Sequence, residues 1–133
     1  MMKVLQPPGW AAPRGYVNGV AARGTTVFVA GQIGWNAQSQ FESDDLVAQV
    51  RQALANVRAV LAEAGASPEH IVRMTWYVTD KREYLARARE IGAAYREVIG
   101  SYTVAMSAVQ VAALIEDRAQ VEIEVTAVVP DAT

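Results

Sequence analysis

The segment that decides the fold is residues 105–125, AMSAVQVAALIEDRAQVEIEV, which holds a short predicted strand followed by a longer one. In the longer strand, Glu122 and Glu124 alternate with three apolar residues, Val121, Ile123 and Val125. Because side chains alternate between the two faces of a strand, this pattern predicts one apolar face and one face that carries both carboxylates. Two acids on one face of an interior strand either line a wet interface or pocket, or one of them performs acid–base chemistry.

The composition describes one globular domain with a buried core. The chain has 133 residues, of which 52% are hydrophobic and 20% are charged. The first 14 residues contain three prolines and a glycine, which predicts an irregular segment. We therefore expect a single domain over residues 1–133 that begins with an irregular arm over residues 1–14.

Charge and residue types exclude several classes of function. The net charge is −2 and the basic residues are scattered singly, which disfavours a dedicated nucleic-acid binder. The chain has no cysteine, so disulfides, thiolate nucleophiles and cysteine-based zinc sites are excluded. Its single histidine, His70, follows a predicted turn and is expected at the surface, so we predict no metal site.

The cellular location is predicted from the N-terminal sequence and from the length of the apolar runs. The first ten residues, MMKVLQPPGW, have no apolar stretch of the kind found in signal peptides. No apolar run approaches the roughly 20 residues that a membrane span needs. We expect a cytoplasmic protein without a membrane partner.

Hydrophobic patterning predicts five strands. The first two are expected to form a hairpin around the turn at Arg23-Gly24, because β-branched and aromatic residues lie on both sides of it. The predicted strands cover residues 16–21, 26–30, 71–78, 105–111 and 120–129.

Two amphipathic helices are predicted between these strands. The first begins after Asp44 and Asp45 and ends at Gly65, with Gln49 on a polar face. The second follows a capping-box pattern at Asp80 and continues as far as residue 99. The predicted core stripes are Leu46, Val50, Leu54, Val57 and Leu61 in the first helix and Tyr84, Ala88, Ile91, Tyr95 and Val98 in the second.

The predicted order is β-β-α-β-α-β-β, an α+β fold with two helices packed on one face of a mixed sheet. The other face carries Glu122, Glu124, Thr126 and Gln110, and is too polar for a dry core. Association with further copies through this face would cover it, so we predict an oligomer.

Four short motifs occur in the order and spacing of a known family. They are Tyr16-Val17-Asn18-Gly19, Val29-Ala30-Gly31-Gln32-Ile33, Gln52-Ala53-Leu54-Ala55-Asn56-Val57 and Val121-Glu122-Ile123-Glu124. On these motifs the chain resembles the Rid (YjgF) family of reactive imine/enamine deaminases, also described as L-PSP endoribonucleases, from about residue 15 to residue 129. The resemblance implies a chorismate-mutase-like fold, a homotrimer with three ligand clefts, each shared by two neighbouring subunits, and no metal or cofactor.

The resemblance also implies a reaction. In the deaminase branch, the substrate is a short-lived imine or enamine of a 2-oxo acid, such as 2-aminoacrylate or 2-iminopropionate. An arginine on the penultimate strand anchors the substrate carboxylate, and a glutamate on the last strand orients or activates the water that attacks the imine carbon. Ammonia then leaves.

Carried over position by position, the resemblance gives Glu122 the role of the catalytic glutamate. Trp35, just after the Gly-Gln turn, is interpreted as a further cleft residue, and Arg14 as the cation best placed to join the cleft because it lies close to Tyr16. The positions matching the family's substrate pocket are Tyr16, Ala30, Gly31, Gln32, Ser107 and Ala108.

The chain departs from the family at the anchor. The anchoring position is occupied by Met106, within Val104-Ala105-Met106-Ser107, where the deaminase branch has a Pro-Ala-Arg-like run. Methionine offers a polarizable apolar wall and lacks a charged bidentate contact, which is worth roughly 1.5–3 kcal/mol. Three alternatives follow: Arg14 has replaced the missing cation, the ligand is less anionic and more apolar, or the site is catalytically silent.

Two functions therefore compete at this point. The first is hydrolytic deamination of small reactive imines or enamines other than the usual amino-acid-derived 2-imino acids. The second is a non-catalytic, small-molecule-binding or chaperone-like trimer. A ribonuclease is disfavoured, because the chain is acidic and has no basic patch.

Overall fold

The computed structural model describes residues 2–100 and 103–132 of the chain. Its regular elements alternate along the sequence, and a 3₁₀ turn at Pro68–His70 separates the first helix from the fourth strand. The elements are β1 (Met2–Leu5), β2 (Gly19–Ala22), β3 (Thr25–Ile33), α1 (Leu46–Glu63), β4 (Ile71–Val78), α2 (Lys81–Ala86), α3 (Ala88–Val98), β5 (Ala105–Gln110) and β6 (Val121–Val129).

The main sheet has four strands in the order β3-β6-β4-β5. β6 runs antiparallel to both of its neighbours, whereas β4 and β5 are parallel, so the sheet is mixed. The prediction that 121–125 is an interior strand is confirmed. A separate two-stranded ladder joins β1 to β2.

The alternation in β6 divides the two faces of this sheet as predicted. Val121, Ile123 and Val125 are buried, while Glu122 is half-buried and Glu124 is exposed. The buried face packs against α1 and α3, and Trp76 of β4 lies at its centre with 1% of its surface exposed. The α+β fold with helices on one face of a mixed sheet is therefore confirmed.

The predicted hairpin of the first two strands is wrong. β2 pairs with β1, which was predicted to belong to the irregular arm, and β3 pairs with β6. The turn at Gly24 therefore transfers the chain from one sheet to the other. Four residues, MKVL, carry too short a pattern to predict a strand alone, and the ladder to β2 is what stabilises it.

The second predicted helix is broken in two at Arg87, whose φ and ψ are −102° and 15°. No proline or glycine marks the break. The Arg87 guanidinium donates to Asp45 at the start of α1 (3.0 Å) and to Glu90 (2.9 Å), and thereby ties the break to the first helix. The carboxylate of Glu83 also lies 3.7 Å from the Arg87 guanidinium, and Asp80 caps α2 by accepting from the Arg82 and Glu83 N–H groups.

Gln49 is buried, with 1% of its surface exposed, and not on a polar face as predicted. Its amide nitrogen donates to the carbonyls of Ser43 (3.1 Å) and Arg118 (3.0 Å), and its oxygen accepts from the Gln120 N–H (2.9 Å). The Gln120 side chain donates in turn to the Asp44 carbonyl. These bonds fix the loop before β6 to the start of α1, and so fix where β6 begins.

Two smaller expectations also change. His70 is half-buried and not at the surface, because its Nδ1 accepts from the Ser67 N–H (3.0 Å) and closes the 3₁₀ turn. Gln110 lies on the helix side of the sheet opposite Val78, and its oxygen accepts from the Lys81 N–H (2.7 Å). Within the described residues, no helix is long and apolar enough to cross a membrane.

Replacing Arg87 by methionine is expected to lower the melting temperature by a few degrees at pH 7. Arg87 lowers the pKa of both Asp45 and Glu90, so their contribution to stability is present above the ordinary carboxylate pKa and is lost as the pH falls through the lowered values. The difference between Arg87→Met and wild type should therefore shrink as the pH is lowered from 7 to 3.

Thermal unfolding across this pH range measures the effect. Arg82→Met, at an exposed position of α2, is the matched control and should follow wild type. A difference that stays constant down to pH 3 would contradict the ion-pair explanation.

Candidate functional site

Glu122 lies beside a bulge in β3. Val29 pairs with Val125 and Gln32 pairs with Ile123, so β3 has two residues between these pairs where β6 has one. A bulge of this kind bends a strand and re-aims its groups. Here it places Gly31 next to the carboxylate of Glu122.

Gly31 allows Glu122 to approach the backbone of β3. A Cβ on Gly31 would lie only 2.7 Å from the Glu122 Cδ, closer than real Cβ contacts come. Gln32 closes the same turn, because its side-chain nitrogen donates to the Ala30 carbonyl (3.0 Å). The structure therefore brings Ala30, Gly31 and Gln32 next to Glu122 in one cluster.

The end of β3 is held by α1. Asn56 donates from its side-chain nitrogen to the carbonyls of Ile33 (3.1 Å) and Trp35 (2.8 Å), and Gln52 donates to the Asn56 side-chain oxygen (2.8 Å). In the sequence, Gln52 and Asn56 were identified only as part of a motif shared with the family. Their position on one face of α1, four residues apart, is what orients them toward β3.

The cluster belongs to the open face of the sheet. A depression of about 420 Å³ on this face is lined by Phe28, Arg73, Thr75, Glu124 and Thr126, among others. Phe28 is 79% exposed. The helices therefore leave this aromatic ring in open solvent.

Met106 lies on the opposite face. In the parallel ladder it pairs with Met74, while Ser107 pairs with Thr75, so Met106 and Ala108 point toward the helices and Ser107 points to the open face. Met106 lines a cavity of about 710 Å³ between β5 and the second and third helices. The N-terminal arm places Arg14 in the lining of the same cavity.

The cavity has an aromatic floor and a basic rim. Trp76 packs with its ring centroid 6.3 Å from those of Tyr84 and of Tyr95. Burial raises the pKa of Tyr84, so its hydroxyl stays protonated at neutral pH. The basic residues of the lining are Arg14, Arg89 and Arg96.

The N-terminal arm brings Arg14 to the cavity by adding to the sheet edge. Val17 forms a parallel bridge with Ala105, and its N–H donates to the Val104 carbonyl (2.9 Å). Tyr16, 38% exposed, precedes this bridge. The arm is therefore ordered against β5 at the point where it passes the cavity.

Trp35 lines neither the depression on the open face nor the cavity that Met106 lines. Its ring is 5.8 Å from that of Phe41, over which the Arg118 guanidinium also lies at 5.4 Å. These residues line a depression of about 370 Å³ together with the loop that precedes β6. The structure thus places Trp35 with Phe41 and Arg118, apart from the cavity that Met106 lines.

The predicted site residues fall into two main groups on opposite faces of one sheet. Glu122, the Gly-Gln turn and Ser107 lie on or beside the open face, and Met106, Ala108 and Arg14 lie on the helix side. Sequence reasoning missed Arg89 and Arg96 of α3. Their spacing of seven residues, with Gly92 between them, was the available signal for a shared helix face.

Comparison with known proteins assigns the family. Residues 9–129 match the family model described as Endoribonuclease L-PSP. A solved structure of YyfB from Yersinia pestis, described as a protein of unknown function of the conserved Rid family, is 34% identical and superposes with a TM-score of 0.81, covering 96% of this chain and 98% of that one. The chain belongs to the Rid family.

Other Rid relatives match over almost their whole length. RutC family protein slr0709 from Synechocystis is 34% identical over 132 residues, covering 97% of this chain and 98% of that protein. TdcF from Escherichia coli K12, described as a putative reactive intermediate deaminase, is 34% identical over 134 residues, covering 96% and 98%. A structure of E. coli TdcF with bound serine has a TM-score of 0.68 at 33% identity, covering 95% and 98% of the two chains.

Two glycine substitutions test the contact that builds the Glu122 cluster. Gly31→Ala should change the melting temperature little, because the atoms in its way belong to the movable end of the Glu122 side chain. Gly34→Ala should destabilise the protein by about 1–3 kcal/mol, because its Cβ would lie 2.7 Å from the Gln49 Cα, which is backbone.

Thermal unfolding compares the two variants, and a crystal structure of Gly31→Ala should show the Glu122 carboxylate displaced. Equal destabilisation by both substitutions, or an unmoved carboxylate in Gly31→Ala, would contradict the packing described here.

Proposed function

We propose that this Rid protein is a hydrolytic deaminase of small reactive imines or enamines, working as a homotrimer in the cytoplasm. The observation that carries the proposal is the Glu122 carboxylate held against the backbone of Gly31 at the β3 bulge. The description of the relative TdcF as a reactive intermediate deaminase supports the same class of reaction.

Glu122 acts on water in this proposal. Its carboxylate takes a proton from a water molecule as the water oxygen bonds to the imine carbon, and the imine nitrogen gains a proton. The hydroxyl proton of the resulting aminoalcohol then passes to the nitrogen by way of the Glu122 carboxylate as the carbon–nitrogen bond breaks, which releases ammonia and leaves a carbonyl product. An enamine enters the same sequence after its carbon is protonated to give the imine. In this proposal, backbone N–H groups near Gly31 and Ser107 stabilise the developing negative charge.

The cleft is proposed to be shared between two copies of the chain. Glu122 and Met106 occupy opposite faces of one sheet, so within a single copy the carboxylate and the Met106 cavity do not meet. Packing the open face of one copy against the cavity side of its neighbour brings the two halves together and covers Phe28. A rotational arrangement of this kind closes into a ring.

Met106 is proposed to set selectivity. Without an arginine on β5, the small substrates 2-aminoacrylate and 2-iminopropionate lose their bidentate contact and should be poor substrates. Serine bound in the TdcF structure shows that this relative accepts a small molecule.

Binding without catalysis is the second candidate function. The observation that favours it is the same methionine, since an apolar wall in place of the anchor suits a cleft that retains ligands but no longer turns them over. A chaperone-like trimer would likewise use these clefts for binding without turnover.

Ammonia release from enzymatically generated imines separates these functions. We expect Glu122→Ala to lower the rate by about a hundredfold or more and Gly31→Ala by at least about tenfold, because it keeps the carboxylate but displaces it. Glu124→Ala is the matched control on the same face of β6 and should retain the wild-type rate. Met106→Arg should raise the rate with 2-iminopropionate.

The outcomes are distinct. Equal losses in Glu122→Ala and Glu124→Ala would contradict a specific role for Glu122. If neither wild type nor Met106→Arg released ammonia from any imine, the proposed deaminase would be overturned in favour of binding. A monomeric mass by light scattering at micromolar concentration would overturn the shared cleft.

A further inference from the structure

The cavity that Met106 lines is larger and more aromatic than a three-carbon substrate requires. Its volume of about 710 Å³ lies within the range of pockets that enclose drug-sized ligands. The rings of Trp76, Tyr84 and Tyr95 form its floor, with Met106 beside them. Trp76 and Tyr95 are only 1% and 3% exposed, so a ligand in the cavity meets mainly the half-buried Tyr84 ring and Met106. A planar ring would cover more of this apolar wall than a three-carbon imino acid does.

The rim of the cavity is cationic. Its described lining contains three arginines, Arg14, Arg89 and Arg96, and no aspartate or glutamate. Neither Arg14 nor Arg89 forms an ion pair with any residue of the described ranges 2–100 and 103–132. Guanidinium groups that face a cavity without an internal acid favour an anionic ligand, and each can make a planar two-donor contact with a carboxylate.

A buried donor in the cavity wall is also unused. The indole nitrogen of Trp76 is buried and has no hydrogen-bond acceptor among the residues that the structure describes. Buried polar groups almost always have a partner, so this N–H is an unmet donor in a residue that lines the cavity. This observation is independent of the charge of the rim.

We propose that the substrates of this site are imines or enamines that carry an aromatic ring and a carboxylate. The ring packs on the half-buried Tyr84, above the buried Trp76 and Tyr95. Arg14 and Arg89 hold the carboxylate in place of the arginine that β5 lacks. This inference rests on the proposed deaminase function for the reaction, while the binding preference stands on the cavity alone. Met106 then contributes apolar contact to the ring.

Direct binding tests the ligand class without catalysis. The probes are phenylacetate, acetate and phenylacetamide, which carry the ring with the anion, the anion alone and the ring alone. Isothermal titration should give phenylacetate the lowest dissociation constant, at least about tenfold below each of the others. Equal binding of acetate and phenylacetate, or of phenylacetamide and phenylacetate, would overturn the proposal.

Variants locate the bound probe. Arg14→Met and Arg89→Met should each raise the dissociation constant of phenylacetate about tenfold and leave that of phenylacetamide unchanged. Ala88→Trp, which fills the cavity from α3, should abolish binding of both ring-bearing probes. Arg82→Met, an exposed arginine outside the lining, is the control and should bind like wild type. Binding unaffected by all three cavity variants would place the ligand elsewhere and overturn the proposal.

A kinetic comparison separates this inference from the proposed function. Imines generated from L-phenylalanine and from L-alanine by an amino-acid oxidase should differ in kcat/KM by at least about tenfold, in favour of the aromatic one. Phenylacetate binding with no ammonia release from either imine would overturn the deaminase but leave the ligand class standing. Equal turnover of both imines would overturn the ligand class and leave the deaminase standing.

Discussion

The central strand β6 is the constraint on which the rest of this structure depends. It is paired on both sides, so its residues can face only the helices or the open side of the sheet. Val121, Ile123 and Val125 fill the core, and the same alternation leaves Glu122 on the other side. A shift of one residue would bury the carboxylates and expose the core. The buried Gln49, which binds the backbone on either side of residue 119, fixes that register at its start.

The catalytic proposal depends on the bulge opposite β6. At this bulge, a residue with a Cβ in place of Gly31 would leave the Glu122 carboxylate no room beside the backbone. Asn56 of α1 binds the carbonyls of Ile33 and Trp35, just after the bulge. The first helix therefore both packs against the core and positions the end of β3. The face that results is polar, carries an exposed Phe28 and is left uncovered by the helices. The bulge therefore accounts for the position of the carboxylate, and the uncovered Phe28 supports the proposal of a partner copy.

Much of this could be predicted from the sequence, because period-two and helical patterns report directly on burial. These patterns predicted β4, β6, α1 and the faces of β6. They did not predict β1, whose residues pair with β2 residues 14–20 positions later in the chain. Nor did they predict the break at Arg87, which depends on an ion pair with Asp45 at the start of α1. Site residues were placed by resemblance, but their division between two faces required the register of β5 against β4. Arg89 was missed because a helical arginine is ordinarily a solvated surface residue.

Complementation between two inactive variants tests the shared cleft most directly. Glu122→Ala removes the carboxylate, and Ala88→Trp fills the cavity, so each homotrimer should be inactive in ammonia release. In trimers assembled at random from equal amounts of both, each cleft pairs the Glu122 of one copy with the cavity of its neighbour, and about a quarter of the clefts should be intact. The account predicts about a quarter of the wild-type rate. If wild type is active but the mixed trimers are no more active than the Glu122→Ala and Ala88→Trp homotrimers, the shared cleft is contradicted.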